Sequence, residues 1–298
     1  MNSRSLNVVK EIYKPYRYTI AGKAHILKST SGDIVIKEKE KDINSLYQYL
    51  KSRGFNYFPE LIDGSREGIN IFEYIPDTNM PKEQKAMDFM KVVGLLHQKT
   101  TYYKEVTEDD FKQIYDLILS QIDYLKYYYE NLYEVYFKEV YPSPSEYLLL
   151  RNISKIFASL NFATNELENW YVKVKDLHKY RICQIHNNLC LDHYHECQKD
   201  CILSWEKSRK DSPVMDLVNF YKCSWFDLNF EVLLNEYFKI CPWSDEEKLL
   251  FFIVISIPPK FIEKDKEFKR VKNIREVLDY VYKTENLIRP YYSVQKEK

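Results

Sequence analysis

Residues 185–217 read IHNNLCLDHYHECQKDCILSWEKSRKDSPVMDL, and this stretch decides the fold. His186 stands near its start and Trp205 near its middle. The set Asp211-x-Pro213-x2-Asp216-Leu217 closes it. Four of the chain's six cysteines lie between Cys183 and Cys201, interleaved with His186, His193 and His195. Cys190-x2-His193 and Cys197-x3-Cys201 have spacings that zinc can use. No CxxC pair occurs, however, and one short locus would have to supply every ligand. Small buried thiols flanking a hairpin are the simpler reading, so no metal is assigned.

Outward from this stretch, the chain has 298 residues, enough for one large domain or two lobes around an ample core. Its 44 basic and 44 acidic side chains cancel. That balance gives no global electrostatic case for nucleic acid or an anionic membrane as partner. The longest apolar run, from Leu249 to Pro258, is too short to span a bilayer. The N-terminus MNSRSLNVVKEIYK lacks the apolar core of a signal peptide. A cytoplasmic protein with reduced cysteines is the expectation. The six glycines end at Gly94, as suits a long helical region, whereas phosphate-cradling loops need several. The 27 tyrosines suit either a surface for assembly or the codon bias of an AT-rich genome.

The first 75 residues read as sheet-rich. Tyr18 to Leu27 and Asp33 to Glu38 are β-like runs about a turn at Ser31-Gly32-Asp33. A helix over Lys41 to Arg53 carries Ile43, Leu46, Tyr47 and Leu50 at helical spacing and stops at Gly54. Pro59 to Ile62 and Ile69 to Tyr74 supply two further strands. Pro76 and the polar Asp77-Thr78-Asn79 mark a boundary. Beyond Pro81 the chain reads as helical: Ala86 to Gln98, Thr107 to about Lys138, Ser143 toward Ser159, Glu166 to Leu177, Leu249 to Ile257, and Lys272 to Lys283. Ser143-Pro144-Ser145-Glu146 and Ser244-Asp245-Glu246-Glu247 are capping boxes that start two of these helices. Tyr124, Tyr127, Tyr128 and Tyr129 suit the core and rim of a helix packing better than a ligand-facing wall.

Set on the pattern H-x-D-x4-N, D-W, D-x-P-x2-D-L, the 185–217 stretch resembles the aminoglycoside phosphotransferase and choline kinase superfamily, the small-molecule branch of the protein-kinase-like fold. The resemblance implies an α+β, two-lobed architecture: a small β-rich N-lobe over 1–76 and a large, mainly helical C-lobe over 77–298. It makes His186 a brace of the catalytic loop and Asp216 its anchor from a following helix. Val93-Gly94-Leu95-Leu96-His97 resembles the family's L-x-x-L-H segment, where the histidine packs against that loop. Lys37, at the end of Ile34-Val35-Ile36, corresponds to the lysine that grips nucleotide phosphates. Glu73, Tyr74 and Ile75 fall where the hinge contacts adenine. The acid that pairs with the lysine has no clear counterpart, Glu40 and Asp42 being nearest. The nucleotide-covering loop retains only Gly22.

The same alignment puts Asn188 at the base aspartate, His193 at the metal-binding asparagine and Ser204 at the metal-binding aspartate. Phosphoryl transfer needs a carboxylate for the nucleophile and metal ions for the phosphates. An amide cannot take a proton, and Mg²⁺ prefers hard anionic oxygens to a serine hydroxyl or an imidazole. Asp192 and Glu206 are the nearby carboxylates able to stand in, with Asp211 a third, although solvated or capping roles suit all three. The expectation is a catalytically degenerate, pseudokinase-like binding or scaffolding module with no cofactor. Its partner is an unspecified small molecule or protein. Its Tyr- and Lys-rich helical insert is similar to kinase-like spore coat proteins of Firmicutes. An active ATP- and Mg²⁺-dependent phosphotransferase acting on a hydroxyl of an amino alcohol or sugar-like substrate is the alternative, and a structural assembly protein the third.

Overall fold

The computed structural model describes residues 3–64, 68–196 and 200–293. From the N-terminus come α1 (Ser3–Tyr13), β1 (Arg17–Ala21), β2 (Ala24–Lys28), β3 (Ile34–Glu38), α2 (Ile43–Ser52), β4 (Leu61–Asp63), β5 (Ile69–Glu73) and α3 (Lys82–Thr100). Then follow β6 (Tyr102–Glu105), α4 (Glu108–Phe137), α5 (Pro144–Val174), β7 (Lys179–Ile185), β8 (Tyr194–His195), β9 (Cys201–Ile202) and β10 (Arg209–Asp211). The chain ends in α6 (Pro213–Ser224), α7 (Phe230–Ile240), α8 (Asp245–Ser256) and α9 (Glu267–Ser293). The α+β class holds.

Two compact units form: Met1–Thr101 with Cys183–Asp211, and Tyr102–Ile182 with Ser212–Lys298. They do not divide at the 76/77 boundary expected from the hinge proline. Main-chain bonds explain why: Ile202 N–H donates to the Tyr57 carbonyl at 2.9 Å, and Thr78 N–H donates to the Glu196 carbonyl at 3.2 Å. The segment that decided the fold is thereby tied to the sheet-bearing unit.

That unit is built on a five-stranded antiparallel sheet, ordered β1-β2-β3-β5-β4. Strand alternation sorts its side chains onto two faces. Leu27, Ile34, Ile36, Ile69 and Ile71 point to one face and pack with Val9 of α1, Leu6 and Tyr13. Fully burying such a side chain contributes about 1.5–3 kcal/mol. Ile26, Val35 and Phe72 lie on the other face as direct neighbours, with Ile26 opposite Val35 and Val35 opposite Phe72. The run from Tyr18 to Leu27 is two strands, because Gly22 takes φ +58° and turns the chain. The expected turn at Ser31-Gly32-Asp33 forms, with Gly32 at φ +119° and its N–H on the Ser29 carbonyl at 3.3 Å.

α2 starts on Asp42, whose side chain accepts from Ser45 N–H. It stops where Gly54 takes φ +73°. Gly54 N–H then reaches the Lys51 carbonyl at 2.9 Å and Phe55 N–H the Leu50 carbonyl at 3.0 Å. The second unit is mostly helical. α5 carries Leu149, Ile153, Ile156, Leu160, Ala163, Leu167, Trp170 and Val174 in one buried stripe. No glycine or proline interrupts that stripe, so the two helices expected at 143–159 and 166–177 are one. Both capping boxes form, Ser143 N–H donating to Glu146 at 2.7 Å and Ser244 N–H to Glu247 at 2.9 Å. Of the tyrosine group, Tyr129 is fully buried and donates to the Pro259 carbonyl at 3.0 Å, while Tyr124 and Tyr127 are exposed. Among the described residues, no helix is long and apolar enough to cross a membrane.

Candidate functional site

The first unit contains a cleft of about 720 Å³ whose lining residues all belong to that unit. Its apolar wall is the sheet face bearing Ile26, Val35 and Phe72, joined by Leu203. Tyr47 of α2 lines it too; its ring stacks on Phe58 at 4.1 Å, and burial raises its hydroxyl well above the usual phenol range. The same alternation that buries Ile34 and Ile36 sends Lys37 into the cleft with Val35.

Lys37 meets the 185–207 segment there. Its Nζ donates to Ser204 Oγ at 2.8 Å and to Glu206 Oε1 at 2.9 Å. Ser204 sits in the left-handed region at φ +64°. A non-glycine residue in such a sparsely populated region costs on the order of 1–3 kcal/mol, so the surroundings must hold it. Trp205 does so. It is 1% exposed, donates from Nε1 to the Ile202 carbonyl at 2.6 Å, and sets its ring edge-on to Phe55 and Phe58. This anchored turn presents Ser204 and Glu206 to the lysine from two residues apart.

His186 is fully buried, lies edge-on to Trp205 at 4.8 Å, and donates from Nε2 to the Leu203 carbonyl at 2.8 Å. It therefore fixes the backbone at Leu203, next to Ser204. Asp216 lies in the second unit, fully buried in the first turn of α6. His97 is also buried, in the last turn of α3.

The loop from Asn188 to His193 is closed on itself. A carbonyl only accepts, so His193 Nδ1 carries the proton that bonds the Asn188 carbonyl at 2.8 Å. Asn188 Oδ1 accepts from Lys207 Nζ at 3.3 Å. Asp192 lines the cleft from an exposed turn. Asp211 pairs instead with Arg209, 2.7 Å away. Of the nearby carboxylates weighed as stand-ins, Glu206 is the one the fold places on Lys37.

The residues expected at a hinge are engaged as well. Glu73 Oε1 accepts from Glu60 N–H at 2.8 Å, and Tyr74 N–H donates to the Asp33 carbonyl at 3.2 Å. The Ile75 carbonyl accepts from His195 Nδ1 at 2.7 Å. His195 stood out in the sequence only beside the cysteines, since it is the pairing of β8 with β9 that brings it to Ile75. At the glycine-poor turn, Lys23 is 2.7 Å from Glu40; this hydrogen bond raises the ammonium's pKa and lowers the carboxyl's.

These donors do not fit Mg²⁺. The position expected to supply a carboxylate is a hydroxyl already engaged by an ammonium, and the amide oxygen of Asn188 accepts from Lys207. Among the described residues, no three His, Cys, Asp or Glu side chains are grouped to hold a metal ion. Cys197, of the zinc-like spacing, lies outside the described residues.

The fold has solved counterparts. An aminoglycoside phosphotransferase from Alicyclobacillus acidocaldarius matches with a TM-score of 0.70 at 8% identity, over 95% of this chain and 93% of that one. AMP-bound spectinomycin phosphotransferase matches with a TM-score of 0.57 at 12% identity, over 95% of this chain and 98% of that one. Its complex with ADP and spectinomycin gives 0.52 at 14% identity, over 96% and 99% of the two chains. Neither a protein-family model nor a curated protein matches the sequence. The chain therefore has the aminoglycoside phosphotransferase fold, with a sequence far removed from those enzymes.

Proposed function

We propose that this protein has the phosphotransferase fold without the reaction, and that it works as a ligand-binding or scaffolding module. The observation that carries this reading is the hydrogen bond from Lys37 to Ser204, at the position where the superfamily pattern has its metal-binding aspartate. An ammonium at that point repels a divalent cation, and one carboxylate oxygen of Glu206 is taken by the same lysine. Asn188, at the base position, holds a hydroxyl by hydrogen bonding but takes no proton from it. General-base catalysis contributes about 10²–10⁴ in rate, so its loss alone slows turnover severely. Assembly into a spore coat is the setting that the Tyr- and Lys-rich helical insert suggests.

The test is turnover. The purified protein is given ATP with Mg²⁺ or Mn²⁺ and a hydroxyl acceptor, choline or spectinomycin, and ADP release is followed. No release above the protein-free blank is expected. Release that Glu206→Gln or Asp192→Asn abolishes would establish the alternative, an active kinase with relocated carboxylates. The combined variant Asn188→Asp, His193→Asn, Ser204→Asp should gain Mg²⁺-dependent ATP binding by calorimetry. If that folded variant gains none, the alignment of residues 186–217 is refuted.

A further inference from the structure

The cleft's charges point to a ligand unlike a nucleotide. We infer that the cleft takes an organic cation with an apolar body and rejects phosphate-bearing molecules, with Glu206 as the residue that sets this preference. The inference rests on the reading of the cleft as a binding site without phosphoryl transfer.

Among the described residues, five carboxylates line the cleft, Glu38, Glu40, Glu73, Asp192 and Glu206, against three lysines, Lys23, Lys37 and Lys207. Each lysine has an acceptor within the protein: Glu40 at 2.7 Å for Lys23, Glu206 at 2.9 Å for Lys37, and Asn188 Oδ1 at 3.3 Å for Lys207. A polyphosphate entering this space competes with Glu206 for Lys37 and meets that carboxylate at close range. Its charge would add to a negative surplus in a partly buried site, where Coulomb energies exceed their values in water. Close backbone approach to a phosphate is limited as well, since Gly22 is the one glycine among the described residues that line the cleft. A cation meets the reverse situation. Asp192 is exposed at the cleft with no hydrogen bond or ion pair among the described residues, and Glu206 has a second carboxylate oxygen beyond the one on Lys37. Ile26, Val35, Phe72 and Leu203 supply the apolar surface for the rest of the molecule.

A single ring system in three charge states tests this on the full chain. At pH 8, above the ordinary imidazole range, fluorescence titration compares 9-aminoacridine, a cation, with neutral acridine and with the anion acridine-9-carboxylate. The expected order is cation, neutral, anion, with about tenfold or more between the extremes, and metal-free ATP should not displace the cation. Glu206→Gln should reduce the cation-to-anion ratio by about tenfold and let ATP compete, because it removes the negative charge that faces Lys37. Asp192→Asn, an exposed substitution, should lower cation affinity without opening the cleft to ATP. The inference is overturned if the anion binds as tightly as the cation, if no acridine binds, if ATP displaces the cation from the unaltered protein, or if Glu206→Gln leaves the ratio unchanged. ADP release in the turnover assay would overturn the parent reading instead, so the two failures are told apart.

Discussion

A double-mutant cycle on Lys37 and Glu206 tests the contact on which the cleft depends. The charged atoms lie 2.9 Å apart, with side chains 18% and 19% exposed, and Lys37 gains a further acceptor in Ser204 at 2.8 Å. Exposed ion pairs couple by about 0.2–1 kcal/mol, whereas breaking a fully buried pair costs about 3–5 kcal/mol. This pair is mostly but not fully buried, which places its coupling near 2 kcal/mol, between those limits. Glu206→Gln leaves an ammonium held by a hydroxyl and an amide; Lys37→Met leaves a carboxylate without its cation. Each single change should destabilise the protein by about 2 kcal/mol. The double change leaves no orphaned charge, so it should cost about the same as either single change rather than their sum. Urea unfolding followed by tryptophan fluorescence gives the four free energies, provided the slopes agree between variants. Additivity within about 0.5 kcal/mol would refute the contact, because residues that do not interact behave that way.

Three further outcomes follow from the same kind of reasoning. Arg181 donates to both oxygens of Glu247 at 2.7 Å, with side chains 14% and 9% exposed; Arg181→Met should cost about 3 kcal/mol or more in urea unfolding, and less than 1 kcal/mol would exclude the buried pair. Gly54→Ala forces a Cβ into a φ of +73°, so it should destabilise by about 1 kcal/mol, where an ordinary helix-end alanine would be neutral. Burial pushes the Tyr221 hydroxyl up to about 12 from a usual 10.0. The folded chain thus holds that proton longer than the unfolded chain, and its contribution is intact below pH 10 and lost as pH rises toward 12. The urea midpoint should fall across that window, with a slope of about 1.4 kcal/mol per pH unit for this group; a Tyr221→Phe variant with an unchanged profile would refute the assignment.

Much of the fold was legible because local rules and burial agreed. Ser143 and Ser244 announced two helices through capping boxes, and Ile34 and Ile36 announced a strand with one buried face. Where the sequence misled, a local signal was overridden or missing. The pause between 159 and 166 in the second unit concealed an unbroken buried stripe, while α1 carries Leu6, Val9 and Tyr13 at a helical spacing that the sheet then covers. α7, at Phe230–Ile240, likewise went unmarked, although Asn229 caps it with its side chain.

The candidate site divides along the same line. The sequence by itself determined which residue types stand where the family pattern expects its chemistry: an amide at 188, an imidazole at 193, a hydroxyl at 204. It determined that Lys37 shares a strand face with Val35, because alternation is a local property of extended chain. Only the tertiary structure decided that Glu206, rather than Asp192 or Asp211, reaches that lysine, and that His195 holds the Ile75 carbonyl. These partners are separated by 169 and 120 residues. No propensity or spacing rule extends that far. A buried tryptophan and one left-handed residue set where the carboxylate points, and neither direction is encoded by its immediate neighbours.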